Sequence, residues 1–130
     1  MSEKDTTASS APKGAPSPME LVLQFHRTYS MPIQPFTSPT LDYERLGMRM
    51  SLIAEEFAEL MGAVYGPRAR AIIEEATAQA VASDEGTRDV IESADALADL
   101  VYVIYGMAIE SGMDLDSVLA EVQASNLSKL

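Results

Sequence analysis

Apolar side chains in the middle of the chain recur three and four residues apart: Leu46, Met50, Ile53, Phe57, Leu60 and Val64. At the helical period these residues fall on one stripe, which predicts a long amphipathic helix over roughly 41–64. Gly66-Pro67 ends it, because proline lacks the amide hydrogen and clashes with the preceding turn. The same period returns in Ile72, Ile73, Ala76 and Ala80, predicting a helix over 67–81. A fourth helix is expected over 87–111, stopped by Gly112. Asp114 or Asp116 can cap a last short helix through Val118, Leu119 and Val122.

Upstream, Pro18 after Ser17 is a good helix start, and Met19, Val22, Leu23 and Phe25 give a first helix to about Ser30. Pro32, Pro35 and Pro39 make the segment 31–40 a stiff loop. Residues 1–17 hold almost no large apolar side chain and are expected to form a disordered tail ahead of one domain over 18–130. No segment alternates apolar and polar residues as a half-buried strand would. The expected fold is therefore an all-α, antiparallel four- to five-helix bundle. Helices of this number bury little alone, so a homodimer sharing one core is expected.

Composition narrows the chemistry. Cysteine is absent and His26 is the one histidine, which excludes a disulfide framework and a zinc site of His/Cys type. A net charge of -11 repels nucleic acid. No apolar run approaches the roughly 20 residues that a spanning helix needs. The polar N-terminus lacks a hydrophobic signal region, so the expected location is cytoplasmic, with no membrane and no nucleic-acid partner.

The acids on the two long helices are the most informative residues. Glu55, Glu56 and Glu59 form EExxE. Glu56 lies about 60° and Glu59 about 120° from Ile53 around the helix, so both flank the apolar stripe. Glu92, Asp95 and Asp99 stack within an arc of about 60°, and Asp95 and Asp99 are the only charges between Ala94 and Ile109. Two carboxylates about 5 Å apart repel by roughly 3 kcal/mol at an effective dielectric near 20. No Lys or Arg lies three or four residues from Asp95 or Asp99 to relieve them. A divalent cation would, and oxygen donors without His or Cys suit Mg²⁺, with Mn²⁺ as a substitute. The alternative is a solvated stripe on an amphipathic helix. A di-iron bundle is disfavoured because its ExxH motif is missing.

The ordered set EExxE (Glu55, Glu56, Glu59), ExxD (Glu92 to Asp95) and Asp99, with LVLQFHRTYS, RMSLIAEEFAEL, ADALADLVYVIYG and the ending SNLSKL, resembles the MazG-like all-α nucleoside triphosphate pyrophosphohydrolases over about residues 20–130. That superfamily includes dimeric dUTPases, dCTPases and phosphoribosyl-ATP pyrophosphohydrolases. The resemblance implies Mg²⁺-dependent release of pyrophosphate from a (deoxy)nucleoside triphosphate in nucleotide-pool house-cleaning. The FHR and SNxSK segments look most like the dUTPase/dCTPase branch, so dUTP is the expected substrate. The metal ligands implied are Glu56, Glu59, Glu92, Asp95 and Asp99, with Asp95 and Asp99 both kept because either matches the second motif. Glu55 or Glu56 would position or deprotonate the attacking water. Gln24, Phe25, His26, Arg49, Tyr102, Asn126 and Lys129 are the implied substrate contacts. Arg49 could equally pair with a glutamate, and Phe25 is more simply a core residue beside a surface His26. Two further alternatives are a non-catalytic helical dimerisation module and a phosphoribosyl-ATP pyrophosphohydrolase-like enzyme.

Overall fold

The computed structural model describes residues 14–129. Five α-helices follow in order: α1 Pro18–Thr28, α2 Leu46–Tyr65, α3 Pro67–Ala82, α4 Val90–Glu110 and α5 Leu115–Leu127. Among the described residues there is no strand, so the chain is all-α as the periodicity requires. The expected tail falls mostly outside the described residues; of its last four, Gly14 to Ser17 are exposed and Ser17 caps α1.

Two compact units are present. One comprises the chain up to Thr37 together with Asp95 onward, and the other is Ser38–Ala94. In the second, α2 packs along α3 as a helical hairpin. Gly66 turns the chain between them at φ 108, a conformation open to glycine and hardly to other residues, and Pro67 starts α3. The helices close on small residues. Ala58 is buried, Ala54 and Gly62 are half-buried, and a Cβ on Gly62 would stand 3.0 Å from the Cβ of Arg70.

The stripe Ile53, Phe57, Leu60 and Val64 does not face α3 in a buried seam; these residues are 42%, 49%, 40% and 52% exposed. The small row lets the backbones approach closely, so the hairpin uses it and leaves the bulky row outward. Helix α2 also starts later than the stripe suggests. The Thr40 hydroxyl accepts the Asp42 N–H at 2.9 Å, which gives the backbone a non-helical alternative there.

In the first unit α1 packs against α5. Helix α1 opens with a capping box: the Glu20 N–H donates to Ser17 Oγ at 3.2 Å, and the Ser17 N–H donates to Glu20 Oε1 at 2.7 Å. That second bond holds the Glu20 carboxyl below its usual range. The helix closes in a Schellman turn, with Met31 N–H donating to His26 C=O at 2.7 Å and Ser30 at φ 55. Helix α4 ends in the same way, with Met113 N–H on Ala108 C=O at 2.8 Å, but there Gly112 holds the left-handed position. For Ser30 that conformation costs about 1 kcal/mol.

The close approach at Gly62 generates a contrast within one helix. Gly62→Ala gains helix propensity but must push against Arg70 Cβ, which sits near its own backbone; we expect a net loss of about 1 kcal/mol. Gly47→Ala meets nothing within 4 Å and should gain about 0.5–1 kcal/mol. Denaturant unfolding of the two variants measures both; equal shifts of the same sign would contradict the packing.

Candidate active site

The two acidic rows sit where the helical register puts them. Glu55, Glu56 and Glu59 lie on α2, and Glu92, Asp95 and Asp99 on α4. All six are exposed. Among the described residues, none of the six carboxylates has an ion-pair or hydrogen-bond partner in the chain. The chain does pair acids elsewhere. Glu74 takes Arg70 at 3.2 Å, and Asp84 takes Arg88 through two bonds at 3.0 and 3.1 Å. The Arg88 guanidinium and the Gly86 N–H hold the Asp84 carboxyl down at about 2. The six acids of the two rows have no such partner among the described residues, and neither do Glu44, Glu85, Glu110 and Glu121. Water screens such exposed charges, so their mutual repulsion falls toward about 1 kcal/mol per pair.

Among the described residues no three Asp, Glu or His side chains are gathered closely enough to hold one metal ion. The donor chemistry nevertheless fits a hard divalent ion, since every candidate ligand is a carboxylate with both oxygens free of protein partners.

Arg49 lies on α2, half-buried, and its side chain has no acidic partner among the described residues. The glutamate pairing considered for it is absent. Tyr102 is 81% exposed and lines a shallow depression of about 420 Å³ along α4 with Val103, Gly106 and Met107. Tyr105 is committed elsewhere: its hydroxyl donates to Asp116 Oδ1 at 2.7 Å, and that bond, with some burial, raises its pKa.

The α1–α5 contact assembles residues from distant parts of the sequence. Gln123 Nε2 donates to Gln24 Oε1 at 3.0 Å, and the Tyr29 hydroxyl donates to Asn126 C=O at 2.8 Å. Phe25 lies against Tyr29 with ring centroids 4.6 Å apart. Lys129 Nζ stands 3.4 Å from Asn126 Oδ1. Gln24, Phe25, Asn126 and Lys129 therefore belong to one neighbourhood. His26 is tied to the turn below it, because its Nδ1–H donates to Pro32 C=O at 2.9 Å. Sequence reasoning missed Tyr29 and Gln123. The signal available was register, with Tyr29 four residues after Phe25 and Gln123 three before Asn126.

The chain is all-α, with an acidic row on α2, another on α4 and a polar cluster at the α1–α5 contact. The phosphoribosyl-ATP pyrophosphohydrolase family profile matches residues 22–126, and the chain belongs to that family. The family is part of the MazG-like superfamily, and its members are pyrophosphohydrolases of nucleotide-like substrates. No curated protein and no solved structure matches the chain.

The pairing of Asp84 with Arg88 can be titrated. Because the folded pKa of Asp84 is depressed, its pairing contributes stability above the unfolded pKa near 3.9 and loses it as pH falls toward about 2. Carboxyl ¹³C NMR should place its midpoint near 2 and raise it toward the ordinary aspartate range in Arg88→Gln, with the Gly86 N–H bond retained. An unchanged midpoint in the variant would contradict the assignment.

Proposed function

We propose that the protein is a divalent-metal-dependent pyrophosphohydrolase that adds water across the α–β phosphoanhydride of a nucleotide and releases pyrophosphate. The observation that carries this reading is the set of six acids without partners in a family of pyrophosphohydrolases. Glu56, Glu59, Glu92, Asp95 and Asp99 would hold Mg²⁺, or Mn²⁺ in its place. A bound ion would neutralise phosphate charge and lower the pKa of a coordinated water. Glu55 or Glu56 would orient the attacking water and accept its proton. Arg49, free of a carboxylate, and Lys129 meet phosphate oxygens. Asn126, Gln24 and Phe25 contact sugar or base, with Phe25 stacking. Tyr102 adds an exposed ring along α4.

The family match favours phosphoribosyl-ATP as substrate over dUTP. The dUTP reading rests on the FHR and SNLSK segments and stays as the second substrate to try.

The bulky apolar faces favour a homodimer. Phe57 and Leu60 on α2 and Leu100, Val101, Val103 and Ile104 on α4 are between 40% and 63% exposed in the single chain. Exposed apolar rows of this kind on each helix favour association. Covering it also removes water from the acidic rows beside it. Their repulsion then rises back toward about 3 kcal/mol per pair, so assembly and metal loading favour one another.

A panel of phosphoribosyl-ATP, dUTP, dCTP and the common NTPs, with Mg²⁺ and pyrophosphate detection, tests the reaction. We expect pyrophosphate from at least one, none in EDTA, and a kcat lower by about a hundredfold or more in Glu56→Ala or Asp95→Ala with helical circular dichroism retained. Full activity in EDTA, or no pyrophosphate from any substrate, refutes the reading. Sedimentation should give about twice the 14.0 kDa of one chain, and a single-chain mass would refute the dimer.

A further inference from the structure

The Tyr29 phenol does something the reaction as described leaves unused. It leaves α1, crosses to α5 and donates to the carbonyl of Asn126 at 2.8 Å, with the Leu127 carbonyl 3.5 Å away. These carbonyls belong to the last turn of α5, where acceptors have no partner within the helix. The Asn126 carbonyl also receives the Lys129 N–H at 3.4 Å, a long bond that holds the turn weakly. The phenol is therefore the stronger donor on that carbonyl. It is itself fixed: the ring lies 4.6 Å from Phe25, its residue is the C-terminal cap of α1, and the Schellman turn follows directly. Asn126 and Tyr29 are both half-buried, whereas Lys129 is exposed.

We infer that Tyr29 is a positioning residue that holds the last turn of α5 so that the Asn126 and Lys129 side chains meet the substrate preformed. This rests on the proposed pyrophosphohydrolase reading, in which those two side chains contact the nucleotide. Lys129 then needs no separate ordering on binding, and the bond contributes to affinity rather than to bond cleavage. Gln24 and Gln123 form a second rung between the same helices at 3.0 Å, so the register survives loss of the phenol hydroxyl alone.

Tyr29→Phe removes the donor and keeps the ring on Phe25. With the best substrate of the panel and Mg²⁺, we expect KM to rise about threefold to tenfold, the range of one hydrogen bond, with kcat within about a factor of two. Asn126→Ala should raise KM as well, and Tyr29→Phe in that background should add less than it does alone, the remainder acting through Lys129. In the substrate-free protein, hydrogen exchange of the Ser128 and Lys129 amides should accelerate in Tyr29→Phe while the α1 amides keep their protection. A merely structural role would lower the melting temperature and the active fraction without this separation of KM from kcat. Unchanged KM, unchanged exchange at Ser128 and Lys129, or fully additive effects of the two substitutions each overturn the inference. A wild-type protein that hydrolyses nothing in the panel overturns the underlying reading and this inference with it. In that case the exchange result still reports whether the phenol holds the turn.

Discussion

Like charges without counter-charges on otherwise apolar helices set the terms for the rest of this protein. Asp95 and Asp99 stand alone among apolar residues of α4, and Glu56 and Glu59 flank the bulky row of α2. Water makes that arrangement tolerable in a single chain. The same chain satisfies Asp84 with Arg88 and Glu74 with Arg70, so matching arginines to acids is within its means. We propose that on each helix the acids and the exposed apolar residues beside them, Phe57 and Leu60 on α2 and Leu100 and Val103 on α4, link covering of apolar surface to neutralisation of charge. Under the proposed reading, a divalent ion carrying the nucleotide would supply the neutralising charge.

The remaining structure holds these groups in place by local means. Small residues bring α2 and α3 together, and Gly66-Pro67 makes a turn with no loop to spare. The capping box at Ser17, the paired Schellman turns and the Asp114 cap of α5 fix the ends of helices that carry candidate contacts. The α1–α5 contact then joins residues roughly a hundred positions apart in sequence through Gln24–Gln123 and Tyr29–Asn126.

Much of this was legible in the sequence because helix formation is local. The 3.6-residue period, Ser17-Pro18, Gly66-Pro67 and Gly112 mark helices and breaks that the structure reproduces within a few residues. The start of α2 was misread because Leu41 fits the stripe while the Thr40 side chain competes for the backbone. The role of the stripe was harder. Periodicity identifies an apolar face but not what covers it, and the hairpin chose the Ala54, Ala58 and Gly62 row instead. The acidic rows were visible because i, i+3 and i+4 spacing is intrahelical. The Tyr29–Asn126 bond was not, because it depends on tertiary register. Substrate preference was legible least: FHR and SNLSK pointed toward dUTP, whereas the family match favours phosphoribosyl-ATP.

The central proposal is that the acids of α2 and of α4 are ligands of a divalent ion. Manganese substitution with NMR reads this directly, since a bound Mn²⁺ broadens amides near it. At substoichiometric Mn²⁺, the account predicts that amides around Glu55 to Glu59 and around Glu92 to Asp99 broaden together and recover together when excess Mg²⁺ is added. Broadening confined to one helix, or spread evenly over all exposed acids including Glu74 and Glu110, would contradict it.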